Sequence, residues 1–359
     1  MPRGGARVSN PKGDPTLAWP SGGTSAFSTY RVQTDGSTST FAKITTGAPP
    51  SPSTGSFSTG ASFSPNGEWM AITMAASQFL WMYYRVGQGN TWVNFSANLS
   101  AAPFSAGNSY WSAFHPSGQY VSSTSSATPY LANYRKNNFL FAKLSNVSSL
   151  PSAGVQSAAW NPQGTSLALG LNASPWINIY NFDPTTDTFT KITSPTGATA
   201  TVYSLAWSPN GTKLAVGQNG SPWIKVLDRS GDTFTAESDP ATTPGSNCYV
   251  QFTDNGTELI AGSSTSPYLY PYSVGSTTTT YTAATFVGGN PGGNVSGGIQ
   301  LSGMGPDTFL AVGLYLTPYF CVYKKSGTTY TKLANPGTLP AGNTNGCPVW
   351  WPKSRTGNA

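Results

Sequence analysis

A five-residue phrase, aromatic-x-Pro-x-Gly, recurs along the chain and restricts its fold more than any other feature. It reads Phe63-Ser64-Pro65-Asn66-Gly67, Phe114-His115-Pro116-Ser117-Gly118, Trp160-Asn161-Pro162-Gln163-Gly164 and Trp207-Ser208-Pro209-Asn210-Gly211. With Asp in place of Pro it returns as Phe252-Thr253-Asp254-Asn255-Gly256. The copies stand 45 to 51 residues apart. A fixed period in this range marks an array of one supersecondary unit, which buries its apolar faces only by stacking on copies of itself.

Within each copy an apolar strand (A) enters the phrase. Pro presets φ and Gly tolerates positive φ, so the phrase is a tight turn. A short strand (B) follows, such as Leu167-Ala168-Leu169 or Leu214-Ala215-Val216. Ser-Pro-aromatic then opens an alternating strand (C), as in Trp223-Ile224-Lys225-Val226-Leu227, and a turn leads to Thr233-Phe234-Thr235 (D). No stretch sustains a helical period. A sixth copy, decayed at its turn, is placed by Leu310-Ala311-Val312-Gly313, and Trp350-Trp351-Pro352 ends the series. The ends are incomplete: residues 16–44 hold only B, C and D, and the C-terminus holds only A. The expected fold is therefore all-β: a seven-bladed β-propeller of four-stranded blades over residues 16–352. The C-terminal strand A pairs with the N-terminal strands B–D to close the ring. Residues 1–15 are a basic polar arm and 353–359 a tail.

The arrangement resembles the WD40-like β-propellers over residues 16–352. It departs from them in having no Gly-His pair and no Trp-Asp strand end.

Charged residues make up 8% of the chain, against about 25% in ordinary soluble proteins. The surface is therefore Ser, Thr, Asn and Gly, as in extracellular adhesive proteins and virus particles. The first 14 residues carry no apolar core of a secretory signal, and no run is long enough to span a membrane. The Ser-Pro-aromatic strands followed by Asp-Thr-Phe-Thr resemble propeller modules encoded by tailed phages. That resemblance implies a non-enzymatic virion structural or adhesive protein, in tail fibre, baseplate or head decoration, made in a host cytoplasm without a signal. Its partners would be host-surface polysaccharide and neighbouring virion proteins. Two rival readings are a bacterial propeller scaffold for other proteins and a carbohydrate-active hydrolase.

Net charge is +6, from 18 basic and 12 acidic residues. Arg3, Arg7, Lys12, Lys353 and Arg355 lie in the end segments, leaving a nearly neutral ring. Arg3, Arg7 and Lys12 are candidates for docking the arm on an acidic partner surface. A few charges with no basic stripe behind them argue against nucleic acid.

Every C strand begins with an aromatic: Phe27, Phe79, Tyr130, Trp176, Trp223, Tyr268 and Tyr319. Rings at strand entrances offer stacking platforms for sugars or peptides. Trp176, Trp223, Tyr268 and Tyr319 are candidate ligand residues on that ground, although a residue type present in every blade is more simply a packing element. Tyr315, in the irregular Leu314-Tyr315-Leu316 of the sixth copy, is a further candidate because function breaks symmetry. D–A connections and B–C loops open on one face, where a ligand would meet the ring.

Most acidic residues fall in turns, where Asp bonds its own backbone. Glu237 and Asp239 share one D–A loop, which does not flank a glycosidic bond as paired catalytic carboxylates must. His115, the only histidine, fills a turn slot held elsewhere by Ser64, Asn161, Ser208 and Thr253. No His/Cys spacing suits a metal, Asp254 to Glu258 is too short for a calcium loop, and no nucleotide fingerprint appears. No cofactor and no catalysis are expected. Cys248, Cys321 and Cys347 are expected as isolated buried thiols.

Overall fold

A computed structural model describes residues 16–20, 27–34, 39–43, 58–75, 78–87, 91–302, 308–340 and 348–350. The arm carrying Arg3, Arg7 and Lys12, the tail from 353 and Cys347 lie outside the described residues. The chain is all-β, a propeller of four-stranded blades.

Six blades each use one contiguous stretch of chain. Blade 1 comprises Ser58–Phe63, Trp69–Met74, Leu80–Val86 and Thr91–Asn94. Blade 2 comprises Ser109–Phe114, Tyr120–Ser125, Leu131–Asn137 and Leu140–Lys143. Blade 3 comprises Val155–Trp160, Ser166–Leu171, Ile177–Asp183 and Thr188–Lys191. Blade 4 comprises Val202–Trp207, Lys213–Gln218, Ile224–Ser230 and Thr233–Ala236. Blade 5 comprises Cys248–Phe252, Glu258–Ser263, Leu269–Val274 and Thr279–Tyr281. Blade 6 comprises Val295–Leu301, Thr308–Leu314, Phe320–Ser326 and Thr329–Lys332, with Thr285–Val287 added in parallel at its outer edge. One further sheet takes strands from both ends of the chain, in the order Val349–Trp350, Thr16–Pro20, Phe27–Thr34, Ser39–Lys43. Leu17 there pairs with Trp350, and Ala18 with Val349.

The burial pattern follows from the stacking. Strand B is covered by a neighbouring blade on each face, so Ser166–Leu171 and Lys213–Gln218 are buried at every position. Such strands read as continuous rather than alternating apolar runs. Strand D lies at the rim and buries at most one side chain, as Phe189 in Thr188–Lys191, and none in Thr233–Ala236. In blades 1 to 5 these edges are four residues or shorter, which limits edge-to-edge pairing.

The apolar clusters sit between blades. Leu167, Tyr180 and Phe182 of blade 3 pack with Tyr120 and Leu131 of blade 2. Leu310, Val312 and Tyr323 of blade 6 pack with Ile260 and Leu269 of blade 5. Tyr30 and Trp350 of the two-ended sheet pack with Phe309, Phe320 and Val322 of blade 6. Trp350 also donates its amide to the Gln300 side chain at 2.8 Å and its indole N–H to the Gln300 carbonyl at 2.9 Å.

The repeated phrase makes the A–B turn. Its glycines, 67, 118, 164, 211 and 256, have φ from 69° to 73°. The polar residue before Pro accepts the N–H that opens strand B: Ser64 from Trp69, Asn161 from Ser166, Ser208 from Lys213 and Thr253 from Glu258, at 2.9–3.1 Å. Among the described residues no helix is long and apolar enough to cross a membrane.

Candidate functional site

Strand A lines the centre of the propeller, and in five blades it carries a register shift. The shifts fall between Ser58 and Gly60, Ser109 and Ser112, Val155 and Ser157, Val202 and Ser204, and Val295 and Ile299. A bulge inserts an unpaired residue and re-aims its side chain, which is why bulges gather beside functional sites. The inserted residues include Tyr110, Trp111, Gln156, Tyr203 and Ser296.

Those five residues line a cavity of about 420 Å³, together with Asn108, Asn247, Tyr249, Ser264, Val295 and Ala75. The volume suits a small organic molecule. Ala75 and Ser264 follow strand B, and Asn108 and Asn247 end D–A connections, so the cavity opens on the face predicted for ligand contact. Its described lining is amide, hydroxyl and aromatic, with no charged side chain.

Two of its rings form a pair. Tyr203 and Tyr249 occupy the second position of strand A in blades 4 and 5, with centroids 6.4 Å apart and planes 28° apart. The Tyr249 hydroxyl donates to the Ser296 carbonyl of blade 6 at 2.7 Å, which fixes that ring. Close approach of the inner strands is part of the same construction. A methyl group on Gly217 would collide with the Cys248 carbonyl, which immediately precedes Tyr249.

The residues named from sequence are placed differently. Tyr130, Trp176, Trp223, Tyr268 and Tyr319 all have φ between 65° and 70°. Trp176, Trp223 and Tyr268 are half-buried against the inter-blade clusters. None of the three lines the cavity. Tyr315 is 49% exposed, and its amide donates to the Asn294 carbonyl at 3.0 Å, beside the lining residues Val295 and Ser296. Tyr110, Gln156, Tyr203 and Tyr249 all hold the second position of strand A, a slot that is Tyr in three blades and Gln or Ser in two others, and it lies outside the aromatic-x-Pro-x-Gly phrase and the strand-C entrances that mark the repeat. The signal available was the recurrence of Tyr at this slot in blades 2, 4 and 5.

Several ionisable groups outside the cavity are engaged structurally. Lys213, 7% exposed, donates to Asp228 and Glu237 at 2.5 Å each and to the Ser276 carbonyl at 2.8 Å. Burial alone would lower its pKa, but the hydrogen bonds and charges of Asp228 and Glu237 outweigh burial and raise it. The Thr279 hydroxyl also donates to Glu237 at 2.9 Å, and Lys225 pairs with Asp239 at 2.5 Å. Glu237 and Asp239 are thus partners of different lysines rather than an acid–base pair. His115 sits in its turn: Ser117 donates its amide and hydroxyl to Nδ1 at 3.0 and 2.7 Å. Cys248 and Cys321 are buried free thiols. Burial pushes the Cys321 thiol up to about 12 and that of Cys248 higher still. Among the described residues no group of His, Cys, Asp and Glu could hold a metal ion.

No family model matches the chain, and no curated protein matches it. Solved structures do share its fold. A candidate 6-phosphogluconolactonase from Bacteroides uniformis superposes with a TM-score of 0.72 at 13% identity, over 94% of this chain and 99% of that one. The periplasmic gluconolactonase of Pseudomonas aeruginosa does so with 0.69 at 12%, over 94% and 99%. A candidate 6-phosphogluconolactonase from Bacteroides fragilis gives 0.69 at 11%, over 95% and 99%. Identities this low establish the propeller and not the chemistry.

These likenesses correct the expectation of a non-enzymatic phage virion protein. The three propellers named above are bacterial and carry lactonase names, and nothing ties the chain to a tail fibre, baseplate or head decoration. The physical reason for the error is that low charge describes a surface and says nothing about what the centre of the ring binds. Carboxylates and histidine are likewise only one style of hydrolytic site.

Proposed function

We propose that this chain is a lactonase-type propeller that binds and opens a sugar lactone in its central cavity. The ring has seven blades, and the pairing of Val349–Trp350 with Thr16–Pro20 closes it. The observation that carries the functional reading is the cavity lining. Side chains of Asn108, Gln156, Asn247, Tyr110 and Tyr203 converge on one space. Amides and phenols donate and accept, which matches a ring bearing hydroxyls, a ring oxygen and a carbonyl.

The reaction asks little of the protein. Water adds to the lactone carbonyl, the bond from that carbon to the ring oxygen breaks, and the ring oxygen takes a proton. The product is an open-chain hydroxy acid. Neutral donors aimed at the carbonyl oxygen stabilise the developing oxyanion in such a step. The described lining holds no carboxylate or imidazole to act as general base, so the rate should rise with hydroxide concentration.

The test follows hydrolysis of glucono-1,5-lactone with the protein and with the double variant Asn108→Leu, Gln156→Leu. Loss of lactone above the spontaneous rate, proportional to protein and reduced in the variant, supports the reading. Hydrolysis equal to the protein-free blank at every concentration refutes it.

A further inference from the structure

We infer that the cavity selects an unphosphorylated sugar ring, laid across the Tyr203–Tyr249 pair, over its phosphate ester. The inference rests on the lactonase-type reading and adds the substrate class. Two observations carry it.

The first is the aromatic pair. Both rings come from the second position of an inner strand, on adjacent blades, and stand nearly parallel. The bulge between Val202 and Ser204 turns Tyr203 out of the ladder, and the bond to Ser296 holds Tyr249. A pyranose or lactone ring has an apolar C–H face and a hydroxylated rim. Its face fits aromatic surface, and its rim reaches the amides and hydroxyls of Asn108, Gln156, Asn247 and Ser264 around the pair.

The second is charge. A phosphate monoester carries about −1.5 to −2 charges at neutral pH. Sites that take such groups meet them with Arg, Lys or a helix N-terminus, because burying an anion without a cationic partner is costly. The described lining has no cation. The basic residues of blade 4 are already engaged: Lys213 by Asp228 and Glu237, Lys225 by Asp239, and Arg229 over the Trp207 ring at 5.3 Å. The site therefore differs in what it rewards from one built around a 6-phosphate.

The test uses D-glucono-1,5-lactam, a neutral ring that does not hydrolyse, and its 6-phosphate. Binding of both to the full chain is measured by titration calorimetry and saturation-transfer NMR. The expected result is that the lactam binds and the phosphate ester binds about ten-fold more weakly or not at all. Tyr203→Ala and Tyr249→Ala should each lower lactam affinity about five-fold. Tyr203→Phe, which keeps the face, should retain it. Equal affinity for the two ligands overturns the inference, as does no binding of either, or unchanged affinity in both alanine variants that melt as the parent does. The two proposals fail separately. Lactone hydrolysis that proceeds unaffected in the tyrosine variants removes the platform and keeps the lactonase reading. Lactam binding that depends on both tyrosines, with no hydrolysis of lactone, removes the activity and keeps the platform.

Discussion

His115 Nε2–H donates to the carbonyl oxygen of Gly164 at 2.8 Å, joining the A–B turn of blade 2 to the same turn of blade 3. A carbonyl only accepts, so the proton resides on Nε2, and Nδ1 is left to accept from Ser117. The imidazole is therefore held neutral. Burial lowers its pKa below the usual value, and the weaker pull of the Gly164 carbonyl opposes this.

That arrangement makes the fold sensitive to mild acid. Below about pH 6.5 the unfolded chain takes up the proton more readily than the folded chain. The stability due to His115 is thus fully present above that pH and is lost as pH falls towards the lowered folded value. Urea midpoints at pH 7.5 and 5.5 should fall further for the parent than for His115→Asn, which carries the residue that blade 3 uses at this slot. Equal falls would remove His115 as the cause.

Gly164 itself tolerates no side chain. Its φ is 72°, and a Cβ there would run into the His115 ring. Gly164→Ala should cost about 2 kcal/mol or more, combining the left-handed backbone with displacement of the ring. Gly231→Ala, with φ 61° and open space around it, should cost only the backbone share, about 1–2 kcal/mol. Denaturant titration of the two variants separates the contributions.

Lys213→Met should destabilise the chain by about 3–5 kcal/mol, because it leaves Glu237 buried with only Thr279 to satisfy it. Pairing it with Glu237→Leu should recover part of the loss, since the uncompensated charge is then gone. Chemical denaturation of the parent, both single variants and the double variant gives the coupling.

Trp223 sits at φ 66° and packs against the cluster shared by blades 4 and 5. Trp223→Ala should lower stability by about 2–3 kcal/mol and leave lactam affinity unchanged. A variant that melts normally but no longer binds would make the entrance aromatics a ligand site.

The blades were legible because their grammar is local. Aromatic-x-Pro-x-Gly states a turn, and Leu214-Ala215-Val216 states a strand covered on both faces, so four strands per copy could be read directly. The cavity was not legible for the opposite reason. Gln156, Tyr203 and Tyr249 reach one another only when separate blades meet at the centre. The bulges that turn Gln156 and Tyr203 inward leave no residue-type signature of their own. The likeness of this ring to lactonase propellers was hidden as well, because stacked blades can share a fold while sharing few residues.

The most direct measurement is a crystal structure of the full chain with D-glucono-1,5-lactam. The lactam should lie in the cavity with its ring face on Tyr203 and Tyr249 and its hydroxyls on Asn108, Gln156 and Asn247. A lactam seated instead on the entrance aromatics Trp176 and Trp223, with the cavity empty at saturating ligand, would contradict the central site.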